Sequence, residues 1–210
     1  MTLSLWFIFL VAPTETTMGD VQRIFYFHVP CAWISFLAFF VVFISSLLYL
    51  ISRKEFFDRV ALSSAEIGVL FSTFVLTTGP LWAKPVWGIW WTWDARLTSS
   101  FVLWLIYISY LLLRAFVTPE YKKKVLSAVV GIVGFIDVPI VYFSIRLWRT
   151  QHPSPVIGGG ESSGIDPIML KTLLLALTAF LFFYFVLAKL RVSILKANDE
   201  LEKFHHHLRR

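Results

Sequence analysis

Two of the five histidines, His28 and His152, stand apart from the charged tail that holds His205, His206 and His207. His28 lies in Phe27-His28-Val29-Pro30, and His152 in Arg149-Thr150-Gln151-His152-Pro153. Four apolar segments separate the two, an even number, so both lie on one side of a membrane. Two imidazoles on one side are a candidate pair of axial ligands for a haem iron, which takes such ligands from both faces. The plainer alternative is a pair of polar residues at a membrane rim. The tail histidines read as a solvated run that would bind metal only adventitiously. The one cysteine, Cys31, excludes an internal disulfide, a CxxC pair and a cysteine-built metal site. It reads as a small buried residue at a helix start, with a thiol beside a haem vinyl as the alternative.

The second unusual feature is aromatic. Five of the nine tryptophans (Trp82, Trp87, Trp90, Trp91 and Trp93) fall within twelve residues, most of them in WGIWWTWDARLTSS from Trp87 to Ser100. One reading is an interfacial belt, because indole prefers the headgroup depth. A belt spreads over the helix ends of both faces, however, and the loops on the opposite side carry no tryptophan. The cluster also encloses Asp94 and Arg96. The other reading is a flat aromatic surface that stacks on a large planar ligand or on a partner chain.

These residues need elements to position them, and the composition says which. Of 210 residues 58% are hydrophobic and 15% charged, against about 25% charged in soluble domains. A soluble enzyme, a disordered chain and a disulfide scaffold are excluded, and an all-α polytopic membrane helix bundle is expected. The spans are expected at about 29–51, 62–82, 98–117, 125–146 and 170–190, within one domain over 1–210. Residues 1–12 are apolar but stop at Pro13. Twelve helical residues rise about 18 Å against about 30 Å of hydrocarbon, so the first of a nominal six helices is expected to be short or to lack its beginning. Thirteen of the nineteen Lys and Arg residues fall in 52–60, 114–124 and the 191–210 tail with its approach. By the positive-inside rule that side is cytoplasmic. The net charge of +6 is thus a topology signal; no basic surface domain exists to bind nucleic acid.

Segments 13–28, 80–98 and 146–171 then face outward. Lys84, Arg96, Arg146 and Arg149 are the cations available there for an anionic ligand, with snorkelling at a helix end as the alternative for Arg146 and Arg149. Two acids fall inside spans, Glu66 and Asp137, where ionisable groups are costly and functional by default. Glu66 is expected to reach toward the cytoplasmic interface. Asp137, two residues before Pro139, is expected to be protonated or bonded to backbone that the proline frees.

FYFHVPCAW, GPLWAKPVWGIWWTWDARLTS and IVYFSIRLWRTQHPS, in that order, resemble the CcmC type of haem-handling protein of cytochrome c maturation. The resemblance runs from about Arg23 to Lys189. It implies that His28 and His152 are the axial ligands of a bis-histidine haem b. It implies that Trp87, Trp90, Trp91, Trp93, Asp94 and Arg96 hold the haem edge and meet a haem chaperone. Trp82 belongs to the same cluster, and Lys84, Arg96, Arg146 and Arg149 are the outward cations available to pair with the two haem propionates. The resemblance further implies a non-catalytic protein of the bacterial inner membrane, with its haem site periplasmic. The implied partners are the chaperone CcmE, the CcmA/CcmB ABC transporter subunits and the small protein CcmD. Two other classes remain open. A membrane cytochrome b-type electron-transfer subunit needs histidines deep in the spans. A small-molecule permease subunit needs a midplane polar site.

Overall fold

The computed structural model describes residues 1–152 and 164–208. Among these residues every regular element is helical. Five candidate spans are long and apolar enough to cross a membrane: Asp20–Ser52, Glu55–Trp87, Ala95–Phe116, Glu120–Leu147 and Pro167–His205. The chain is a multi-pass membrane helix bundle.

Helix α1 (Thr2–Trp6) runs into a π-helical turn, Phe7–Val11. Together they are too short to span. The guanidinium of Arg23 donates to the carbonyls of Ile8 and Ala12 and to the Thr14 hydroxyl. It thereby satisfies carbonyls that a helix C-terminus leaves without partners. Ile8 and Ala12 pack with Phe25, Tyr26, Leu173 and Ala176, so this short helix is docked on the bundle.

A 3-10 turn, Asp20–Ile24, leads directly into α2 (Phe25–Ser52). The sequence placed His28 just before this helix, with Pro30 in its first turn. The helix instead starts at Phe25, and both residues lie inside it. Pro30 is the sixth residue of α2, past the four N–H groups that lack helical partners, so the carbonyl of Tyr26 receives no N–H from it.

Helix α3 (Glu55–Trp87) is 33 residues long, about 50 Å, and is the hub of the bundle. It packs closely on α2: a Cβ at Gly68 would lie 2.5 Å from Phe39 Cε1. Helix α4 (Ala95–Phe116) joins α2 through Phe39 and Tyr107, whose rings stack at 3.7 Å. Helices α5 (Glu120–Phe135) and α6 (Asp137–Leu147) form one broken span. The break has a covalent cause: Pro139 has no N–H to give the carbonyl of Phe135. Asp137 sits at this break with its Oδ2 buried and without a hydrogen bond. Helix α7 (Pro167–Leu208) is 42 residues long, about 63 Å, and so extends well past the hydrocarbon.

Ion pairs tie α3 to its neighbours at the end opposite the two histidines. Arg114 makes two bonds to Asp58, at 2.6 and 2.9 Å. Lys124 reaches Glu55 and Arg59 reaches Asp199, at 2.6 and 2.7 Å. Glu66 is held by Arg191 at 2.6 and 2.7 Å. That intramembrane acid is therefore paired with a cation of α7, which accounts for its place in a span.

Candidate functional site

The site grows from the end of α3. Gly88 ends this helix at φ 77°, and its N–H donates to the Lys84 carbonyl at 3.0 Å. A left-handed residue here suits glycine. Lys84 Nζ in turn donates to the Gly88 carbonyl at 2.8 Å and lies 5.9 Å from the centre of the Trp90 ring. The cation offered by the sequence for an anionic ligand is thus engaged in closing the tryptophan loop.

The loop ends at Asp94, whose carboxylate the structure shows bonded within the protein. Asp94 is the N-cap of α4. Its Oδ1 accepts from the N–H groups of Arg96 and Leu97, at 2.9 and 3.1 Å. Its Oδ2 accepts from the Thr92 hydroxyl at 2.7 Å. The Thr150 hydroxyl and the Gln151 backbone also bond it. Burial opposes the charge, but these bonds outweigh it and hold the carboxyl below the usual carboxylate range. Thr150 Oγ1 also accepts from the His152 N–H at 3.1 Å. Asp94 therefore links the tryptophan loop to the segment that carries His152.

An expected outcome follows for Asp94→Ala. Loss of the cap costs about 0.5–2 kcal/mol, and the His152 segment loses its tie to the loop. Thermal unfolding and haemin titration in detergent should both report a weakened protein. Asn is as good an N-cap as Asp, so Asp94→Asn should keep most of the stability. Because the native carboxyl is held low, its contribution is present above the ordinary carboxylate range near 4. It is lost as pH falls through the lowered native value.

His28 and His152 line one cavity. Trp82, Trp87, Trp91 and Arg96 line it with them. Apolar side chains such as Phe36, Val75 and Leu103 continue it into the bundle. It holds about 1100 Å³ of atom-free space, open solvent at its mouth included. His28 is 9% exposed and its Nδ1 lies 2.8 Å from Thr78 Oγ1. The Trp82 ring stands edge-on to the imidazole, with centroids 6.0 Å apart. Arg96 donates to the carbonyls of Val141 and Tyr142, which fixes α4 to α6 beside the cavity. The indole N–H of Trp91 is buried with no hydrogen-bond partner, and a buried donor in that state favours an acceptor.

The remaining sequence candidates divide differently. Trp90 and Trp93 do not line the cavity; they are 55% and 74% exposed and form an outward-facing aromatic edge. Trp93 meets Trp91 and Phe101 at 5.7 and 6.4 Å. Arg146 and Arg149 are exposed on and after the last turn of α6, outside the cavity lining. Thr78 and the apolar continuation of the cavity were not legible in the sequence. A threonine among several in one apolar helix carries no signal until helix rotation brings it against His28, fifty residues away.

Fold and site together define a polytopic helical membrane protein with a cavity at one end, framed by indole rings and lined by two imidazoles. The family model described as heme exporter protein C, CcmC, matches residues 1–205. A heme exporter protein C of Bradyrhizobium diazoefficiens is 39% identical over 189 residues, 89% of this chain and 72% of the relative. A ccmC-like mitochondrial protein of cytochrome c biosynthesis from Marchantia polymorpha is 39% identical over 194 residues, 92% of this chain and 81% of the relative. The Escherichia coli K12 heme exporter protein C is 31% identical over 182 residues, 86% and 73% of the two chains. The chain belongs to the heme exporter protein C family.

Proposed function

We propose that this protein holds haem b at its histidine end and presents it to a haem chaperone during cytochrome c assembly. The observation that carries this reading is the single cavity lined by His28, His152, three tryptophans and Arg96. Two imidazoles from different elements would grip the iron from both faces and leave no open position for oxygen chemistry. Trp82, Trp87 and Trp91 offer broad contact to the macrocycle. Arg96 and the unpartnered Trp91 N–H suit propionate oxygens, with Arg146 and Arg149 outside the cavity as further cations.

The positive-inside rule supports a periplasmic site in a bacterial inner membrane, because thirteen of nineteen cations lie toward the opposite end and the tail. The role is delivery, not catalysis. The relatives are named heme exporter protein C, which supports a place in a haem export system. The partners we propose are those the motif resemblance implies, CcmE as the chaperone that receives haem and CcmA, CcmB and CcmD as the rest of the assembly.

The exposed aromatic edge supplies the test. Trp90 and Trp93 face away from the cavity, where a partner chain can reach them. A Trp90→Ala/Trp93→Ala variant should keep its haem absorption spectrum. Its capture by the chaperone should weaken by about 2 kcal/mol, roughly thirty-fold, as for a buried interface tryptophan. Normal capture with haem bound would reduce this edge to a membrane belt.

A further inference from the structure

His28 is seated against one turn of α3. A Cβ at Gly79 would lie 3.5 Å from the His28 Cε1, Trp82 stands edge-on to the ring, and Thr78 meets Nδ1 at 2.8 Å. The Thr78 hydroxyl makes a second contact, 2.6 Å to the carbonyl of Phe74. A hydroxyl has one proton to donate, and a carbonyl oxygen can only accept. The proton of Thr78 is therefore directed at Phe74. Toward His28 the hydroxyl has only lone pairs to offer. It must accept, and Nδ1 must carry the hydrogen. In a neutral imidazole this leaves the lone pair on Nε2.

We propose that Thr78 is a positioning residue for haem binding. It selects the Nδ1–H tautomer of His28 and fixes the ring so that Nε2 is the nitrogen offered to the iron. The proposal rests on the reading of His28 as an axial ligand. The physical effect is twofold. A ring that cannot rotate or change tautomer has less freedom to lose on binding. A hydrogen bond donated from the distal nitrogen also raises the basicity of the ligating one. The relay His28 Nδ1–H to Thr78 Oγ1–H to the Phe74 carbonyl further satisfies each group inside an apolar bundle, where an orphan would be costly.

The test uses the full chain in detergent, haemin as probe, and Thr78→Val, Thr78→Ser and His28→Ala. Valine keeps the shape and removes the hydroxyl; serine restores it. Thr78→Val should weaken haemin binding about 10–100-fold, the usual effect of losing an outer partner of a ligating histidine. It should also raise the haem midpoint potential, because the imidazole becomes a poorer donor. Thr78→Ser should restore both. Nitrogen-15 NMR of the histidine-labelled, haem-free protein should find His28 as Nδ1–H in the wild type and in Thr78→Ser, a readout that needs neither haem nor a stable valine variant. An Nε2–H form in the wild type overturns the proposal. So does a Thr78→Val protein with wild-type affinity and potential while His28→Ala binds no haemin. If His28→Ala itself binds haemin normally, the ligand reading beneath the proposal falls.

Discussion

Replacing His28 with alanine is expected to remove haem from the purified protein, and replacing His152 is expected to do the same. A six-coordinate, low-spin spectrum in the wild type should give way to little bound haem or to a five-coordinate residue. On the proposed ligation, each substitution would delete one of two iron bonds and leave the tryptophan contacts in place. Deleting an outer partner of a ligating histidine costs about 10–100-fold in affinity, so deleting the ligand itself should cost about 100-fold or more. The two histidines are not equivalent in setting. His28 is 9% exposed on the first turns of α2 and bonded to Thr78. His152 lies beyond the end of α6, tied through Thr150 to Asp94. Unchanged haem content in both variants would end the axial assignment. It would also reopen the electron-transfer alternative, although all five histidines lie at helix ends, in the segment after α6 or in the tail, and none sits deep in a span.

The largest loss of stability is expected from Asp58→Ala. Asp58 and Arg114 form a two-bond ion pair whose side chains are 6% and 9% exposed. Removing the carboxylate leaves a buried guanidinium without its partner, which costs about 3–5 kcal/mol. Replacing both partners with apolar residues, as in Asp58→Leu/Arg114→Met, removes the charge together with its desolvation penalty and should recover most of the loss. Thermal unfolding of the three proteins in detergent checks this. A single variant as stable as wild type would show that water or lipid headgroups reach Arg114 at no cost. The Arg191–Glu66 pair makes the contrast. Its side chains are 37% and 31% exposed, so less of each is desolvated by the protein and its loss should cost less than that of Asp58.

How much was legible beforehand follows from how far each signal extends along the chain. The five long spans were readable because hydrophobic length is a local property. The helices run beyond them by a few turns, since polar ends such as Glu55 and Asp58 remain helical when paired with Lys124 and Arg114. The tryptophan run and the two histidines were readable as residue types. Their division of labour was not. Trp91 and Trp93 are two residues apart, yet one lines the cavity and the other is mostly exposed. Asp94 reads as a ligand contact in the motif and acts as a helix cap. Glu66 looks like an unpaired intramembrane acid until Arg191, 125 residues on, is placed beside it.

By itself, the sequence determined that this chain crosses a membrane several times, that His28 and His152 emerge on one side, and that one cysteine forms no internal disulfide, CxxC pair or cysteine-built metal site. Those conclusions rest on counting: apolar length against bilayer thickness, and the parity of crossings. Only the tertiary structure decided that both histidines enter one cavity, that Thr78 meets His28, and that Asp94 joins two loops. Such facts depend on the rotation of each helix about its axis and on how neighbouring helices cross. Packing between residues far apart in the chain sets both, and no local pattern encodes them.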